Sequence, residues 1–91
     1  MIRYYCRPIK RYVCFIVRDD EVLLFAHKTG ELLCCITIPF SSAKKNCFFI
    51  DNKTYPWLSD WLVEKGVANP THRSFIRDGF SYEEFKFKKE I

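Results

Sequence analysis

Glycine is scarce in this chain, which holds only Gly30, Gly66 and Gly79. Spaced so widely, they cannot build a glycine-rich phosphate loop. The five cysteines, Cys6, Cys14, Cys34, Cys35 and Cys47, contain no CxxC pair, so zinc finds no recognisable ligand spacing. Cys34 and Cys35 are neighbours in an apolar run and point to opposite faces of a strand, which suits neither a metal nor an easy bridge. No apolar run approaches the roughly 20 residues that cross a bilayer. The basic start is interrupted by Pro8, Lys10 and Arg11, so a secretory signal is not expected. An odd number of apparently unpaired thiols fits a reducing cytoplasm.

What is present is apolar and aromatic. Hydrophobic residues make up 48% of 91 residues and aromatics 18%, enough for one compact domain spanning 1–91. Nine Phe, five Tyr and two Trp exceed what so small a core needs, which places some of them at the surface as a contact site. The net charge is +4, and the imbalance is local. Arg3, Arg7, Lys10, Arg11 and Arg18 lie in a stretch without a single acid. Such a stretch suits an acidic partner, nucleic acid or an anionic protein patch, or it protects a strand edge from aggregation.

Arg11–Val17, Glu21–His27 and Glu31–Ile38 are three short runs rich in β-branched, aromatic and leucine residues, with Pro39 ending the third. Asp19-Asp20 and Lys28-Thr29-Gly30 separate them, which predicts an antiparallel meander. Both faces of these strands are apolar, so the sheet either curls toward a half-barrel or is covered on its second face. Cys47–Ile50 predicts a fourth strand after a polar loop from Phe40 to Asn46. Trp57, Leu58, Trp61 and Leu62 form one apolar stripe of a helix starting near Thr54, and Gly66 fits the left-handed residue beyond its end. The helical spacing makes the two tryptophans core residues. Asn69–Gly79 lacks apolar periodicity and is expected to be a long loop. In Phe80–Lys88, Phe85 and Phe87 share one face while Glu84, Lys86 and Lys88 share the other, which predicts a final edge strand.

Reaction chemistry is absent from this text. His27 and His72 sit in no metal spacing and beside no evident nucleophile, and Asp19, Asp20 and Glu21 read as a solvated turn. No catalytic residue, cofactor or metal is expected. The Asn69–Gly79 segment is the best functional candidate, because long connections inside small domains commonly carry function. It places His72, Arg73 and Arg77 near the tryptophan helix, and Arg is a frequent anchor of binding surfaces.

At these residues the chain resembles a family of small proteins carried by conjugative elements and phages of Firmicutes and Bacteroidetes, built on a domain of unknown function. The resemblance rests on Phe49-Ile50-Asp51-Asn52, Pro56-Trp57, Lys65-Gly66-Val67-Ala68, Pro70-Thr71 and Gly79-Phe80, and covers about residues 36–87. Ser74 to Asp78 departs from it, since members usually have a second glycine and an aromatic-rich turn there. The resemblance implies an accessory protein of a mobile element, a setting in which inhibitors of host defence, including anti-CRISPR proteins, are common.

The sequence thus predicts an α+β fold, an antiparallel sheet of about five strands with one helix packed on it. The function expected is that of a non-enzymatic binding protein that inhibits a bacterial defence complex by occlusion, with His72, Arg73, Arg77 and the basic N-terminal residues Arg3, Arg7, Lys10 and Arg11 as contacts. The alternative is a nucleic-acid-binding accessory protein that uses Arg3, Arg7, Lys10 and Arg11 with exposed Tyr4 and Tyr5. A homodimer is also allowed, and no membrane partner is expected.

Overall fold

The computed structural model describes residues 2–42 and 44–91. It is α+β, with two four-stranded antiparallel sheets and one helix. The first sheet is a meander of β1 (Tyr4–Cys6), β2 (Arg11–Val17), β3 (Val22–Ala26) and β4 (Leu32–Cys35). The second contains β5 (Thr37–Ser41), β6 (Cys47–Ile50), β7 (Ala68–Arg77) and β8 (Phe80–Phe87), in the order β5-β6-β8-β7. The helix α1 (Leu58–Glu64) connects β6 to β7.

The two sheets are joined through one residue. The Ile36 N–H donates to the Val22 carbonyl of the first sheet at 3.0 Å, and its carbonyl accepts from the Asp51 N–H beyond β6 at 2.8 Å. The run expected as a single strand, 31–38, is therefore broken at Ile36, where the chain leaves one sheet and enters the next. Pro39 does not end the pairing as expected. It lies within β5, an edge strand whose register is irregular between Thr37 and Ser41, where a missing N–H is tolerated.

The inner faces of both sheets enclose one core, which includes Val13, Phe15, Leu24, Ile36, Ile50, Phe85 and Phe87. The helix completes it with Leu58, Trp61 and Leu62. Trp61 is buried, its indole Nε1 donates to the Tyr5 carbonyl at 3.0 Å, and its ring lies 5.5 Å from that of Phe15. That bond ties the helix to β1. Trp57 is half-buried and packs on the same core, so both tryptophans are scaffold.

The helix starts later than the sequence suggested. Thr54 is not its N-cap; the Thr54 N–H donates to the Asp51 side chain at 3.1 Å within a turn, and helical residues begin at Leu58. Its end follows the expected rule. Gly66 takes φ +68, the Gly66 N–H donates to the Val63 carbonyl, and the Val67 N–H donates to the Leu62 carbonyl. These are the paired bonds of a Schellman motif, which satisfy carbonyls that a helix end leaves open.

Two further expectations are corrected in the second sheet. Asn69–Gly79 is not a loop, because nearly all of it is the ten-residue strand β7. β8 is accordingly not an edge strand: it lies between β6 and β7, and β7 is the edge.

Candidate functional site

β7 and β8 form a hairpin closed by Asp78 and Gly79, both at positive φ (51° and 76°). That conformation defines a type I′ turn, whose twist matches the strands it joins. The Asp-Gly pair is the sequence signal that could have revealed this hairpin. It was obscured because β7 does not alternate: its register shifts between Pro70 and Ser74, where His72 takes φ +67. The bulge places Thr71 and Arg73 around one carboxylate on β8.

That carboxylate is Glu84, only 2% exposed. Thr71 Oγ1 donates to Glu84 Oε1 at 2.6 Å and Arg73 Nε donates to the same oxygen at 2.7 Å, while the Ser42 hydroxyl donates to Oε2. Burial raises the pKa of this carboxyl, but the two hydroxyls and the guanidinium outweigh it and hold it below its ordinary value. Glu84 thus ties the end of β5 and the bulge of β7 to β8. Phe40 and Phe75 stack at 3.9 Å between ring centres on the same side of the sheet. Arg73, expected as a contact, is therefore committed within the fold, although its side chain stays half-exposed. His72 is exposed at the bulge.

Arg77 is differently placed. It ends β7 opposite Phe80 and shares an open groove with Lys53, Thr54, Tyr82 and Asp51. Ile76 beside it is 69% exposed, the highest value of any large apolar side chain among the described residues. Asn52, in the turn after β6, braces this hairpin. Its Nδ2 donates to the Ser81 carbonyl and its Oδ1 accepts from the Glu83 N–H, both at 3.3 Å. An amide side chain here continues a ladder that the backbone has left. The Ser59 hydroxyl of the helix donates to the Glu83 carboxylate.

The basic N-terminal residues form a separate surface on the first sheet. Arg3 lies 4.4 Å from the centre of the Tyr12 ring. Both line a groove with Arg11, His27, Lys28 and Thr29, at the end of the sheet where β3 turns into β4. His27 and Lys28 join this group only in three dimensions, since the sequence places His27 at a strand end and Lys28 in the break that follows. Arg7 sits in the 3-10 turn Arg7–Ile9 after β1, and Lys10 caps that turn at φ +54. Tyr4 and Tyr5 do not share a face. Tyr4 packs on Phe15 in the interior while Tyr5 meets Tyr12 outside, as neighbours in a strand must.

The thiols are unpaired, and those of Cys6 and Cys34 are held protonated. Burial pushes up the pKa of both, and the neighbouring Tyr55 hydroxyl is pushed up to about 12, chiefly by burial. Neither environment favours a reactive thiolate. Among the described residues no three His, Cys, Asp or Glu side chains gather as metal ligands, and no helix is long and apolar enough to cross a membrane. No protein-family model, curated protein or solved structure matches the chain.

Proposed function

We propose that this is a non-enzymatic binding protein that acts by occlusion, docking the β7–β8 hairpin onto a protein partner. One observation carries this reading: Ser74–Arg77 is the free edge of a sheet, on a hairpin held rigid by Asn52 and the Glu84 cluster. An edge strand offers unpaired backbone groups to an extended segment of a partner, and neighbouring side chains add specificity. Ile76 supplies an exposed apolar anchor; Arg77 and Lys53 supply positive charge for an acidic surface. Rigidity matters, because an edge fixed beforehand loses little conformational freedom on docking. The resemblance to mobile-element proteins supports a host defence complex as the partner, with the chain as its inhibitor.

Affinity capture from bacterial lysate tests this reading when the full chain is compared with I76D/R77E. A protein complex recovered by the parent and lost with the folded variant supports it. Equal recovery by both, or recovery of the free chain alone, excludes the hairpin as the contact.

A second reading, nucleic-acid binding, has the convergence of Arg3, Arg11, His27 and Lys28 beside Tyr12 in its favour. It requires retention on single-stranded DNA or RNA that falls steeply with salt.

A further inference from the structure

A cleft opens on the core where β3 and β4 face the segment before α1. Its floor is the buried Leu24, and Leu33 and Cys34 of β4 line it together with Tyr55 and Trp57. These four are half-buried and pack on the core, and the Tyr55 and Trp57 rings stand 5.8 Å apart. The space measures about 290 Å³, close to the lower bound of roughly 300 Å³ for small-molecule sites. Its lining has the composition of such sites, apolar and aromatic surface with few polar groups. Those groups belong to Cys34, Tyr55 and Arg11. Burial keeps the Cys34 thiol and the Tyr55 hydroxyl protonated at neutral pH, so both offer donors rather than charge.

Charge identifies the occupant. Arg11 is the one ionised side chain lining the cleft, and it also lines the adjoining groove that holds Arg3 and Lys28. Among the described residues no carboxylate lines either space, and the ion pairs, Arg18–Glu21 and Arg73–Glu84, lie elsewhere. Two acids stand nearby. Glu31 is exposed just beyond the turn from β3 to β4. Asp51 is a lesser cause of the raised Tyr55 pKa, but its side chain accepts from the Thr54 N–H and lines the groove of Lys53 and Arg77. Arg11 is thus left without a counter-charge at the mouth of an apolar cleft. We propose that the cleft binds a small aromatic carboxylate, its ring against Leu24, Leu33 and Trp57 and its carboxylate on Arg11. Arg3 and Lys28 add positive potential at the mouth. The inference does not depend on docking by the hairpin, which belongs to the other sheet.

Titration of the full chain with cinnamate and with cinnamyl alcohol, followed by calorimetry and by amide and indole NMR shifts, tests it. The two probes share one apolar body and differ in the charge of the head. The expected result is saturable binding of the acid below about 1 mM, with the alcohol about fivefold weaker. Shifts should centre on Leu24, Leu33, Cys34 and the Trp57 indole. Arg11→Gln should lower the affinity for the acid to that for the alcohol and leave the alcohol unchanged. The comparison of acid with alcohol on the parent decides even where the variant fails to fold. No saturation, shifts confined to other surfaces, or equal affinity for acid and alcohol would overturn the proposal. So would a chain that sediments with phosphatidylglycerol vesicles yet binds no free cinnamate, which would assign the cleft to a lipid surface.

Discussion

At Glu84, β-strand alternation points a carboxylate to the face opposite Phe85 and Phe87, and the fold then covers it. The sequence showed the alternation but not the cover, because Ser42, Thr71 and Arg73 come from three distant stretches. Removing one partner of a buried ion pair costs roughly 3–5 kcal/mol, a figure reduced here because Arg73 is half in water. Glu84→Gln should therefore destabilise the protein by about 2 kcal/mol in urea unfolding. The effect should depend on pH with a defined sign. A carboxyl held low in the folded state stabilises above its ordinary value of 4.5, and that contribution is lost as pH falls through the folded value. The gap between parent and E84Q should thus be constant near neutrality and close in acid below pH 4.5. A gap unchanged down to the acid transition would mean that the charge contributes nothing. Trp61 is the second residue to test. Trp61→Phe keeps a ring in the core but removes the donor to the Tyr5 carbonyl, which should cost about 1 kcal/mol in the same measurement.

At the scale of elements, the parts of the chain that were legible are those with local signals. The meander β2–β3–β4 announced itself by apolar runs between polar breaks, and the helix by its stripe and its glycine stop. What was illegible depends on pairing partners. β1 has three residues, too few for a period to show. β5 carries a proline that reads as a terminator unless its place at an edge is known. β7 lost its alternation to the bulge at His72, so ten residues of strand read as loop. Its turn was legible nonetheless. Gly79 sits at φ +76 with open space around it, so an alanine there meets backbone strain and no clash. Gly79→Ala should cost about 1 kcal/mol and loosen the hairpin tip, seen as faster amide exchange from residue 74 to 83. Unchanged exchange there would mean that the turn does not hold the hairpin.

The whole molecule, 36 × 24 × 21 Å, divides its work between two sheets that share one core. The first carries a basic groove beside Tyr12 and the second a braced hairpin with a free edge. Of the residues expected to bind, Arg77 stands at that edge, Arg73 is drawn into the scaffold, and Arg3 and Arg11 gather with Lys28 elsewhere. Sequence alone could not separate these roles, since an arginine paired inside a fold and one facing a partner are the same letter. Docking through the hairpin requires that the outward amides of Ser74–Arg77 find new acceptors in the complex. Hydrogen–deuterium exchange on the complex captured by the full chain measures this directly. The account predicts strong slowing at residues 74–77 relative to the free chain, with the Thr71–Arg73 bulge little changed. Slowing confined to the first sheet, with 74–77 exchanging as in the free protein, would contradict it.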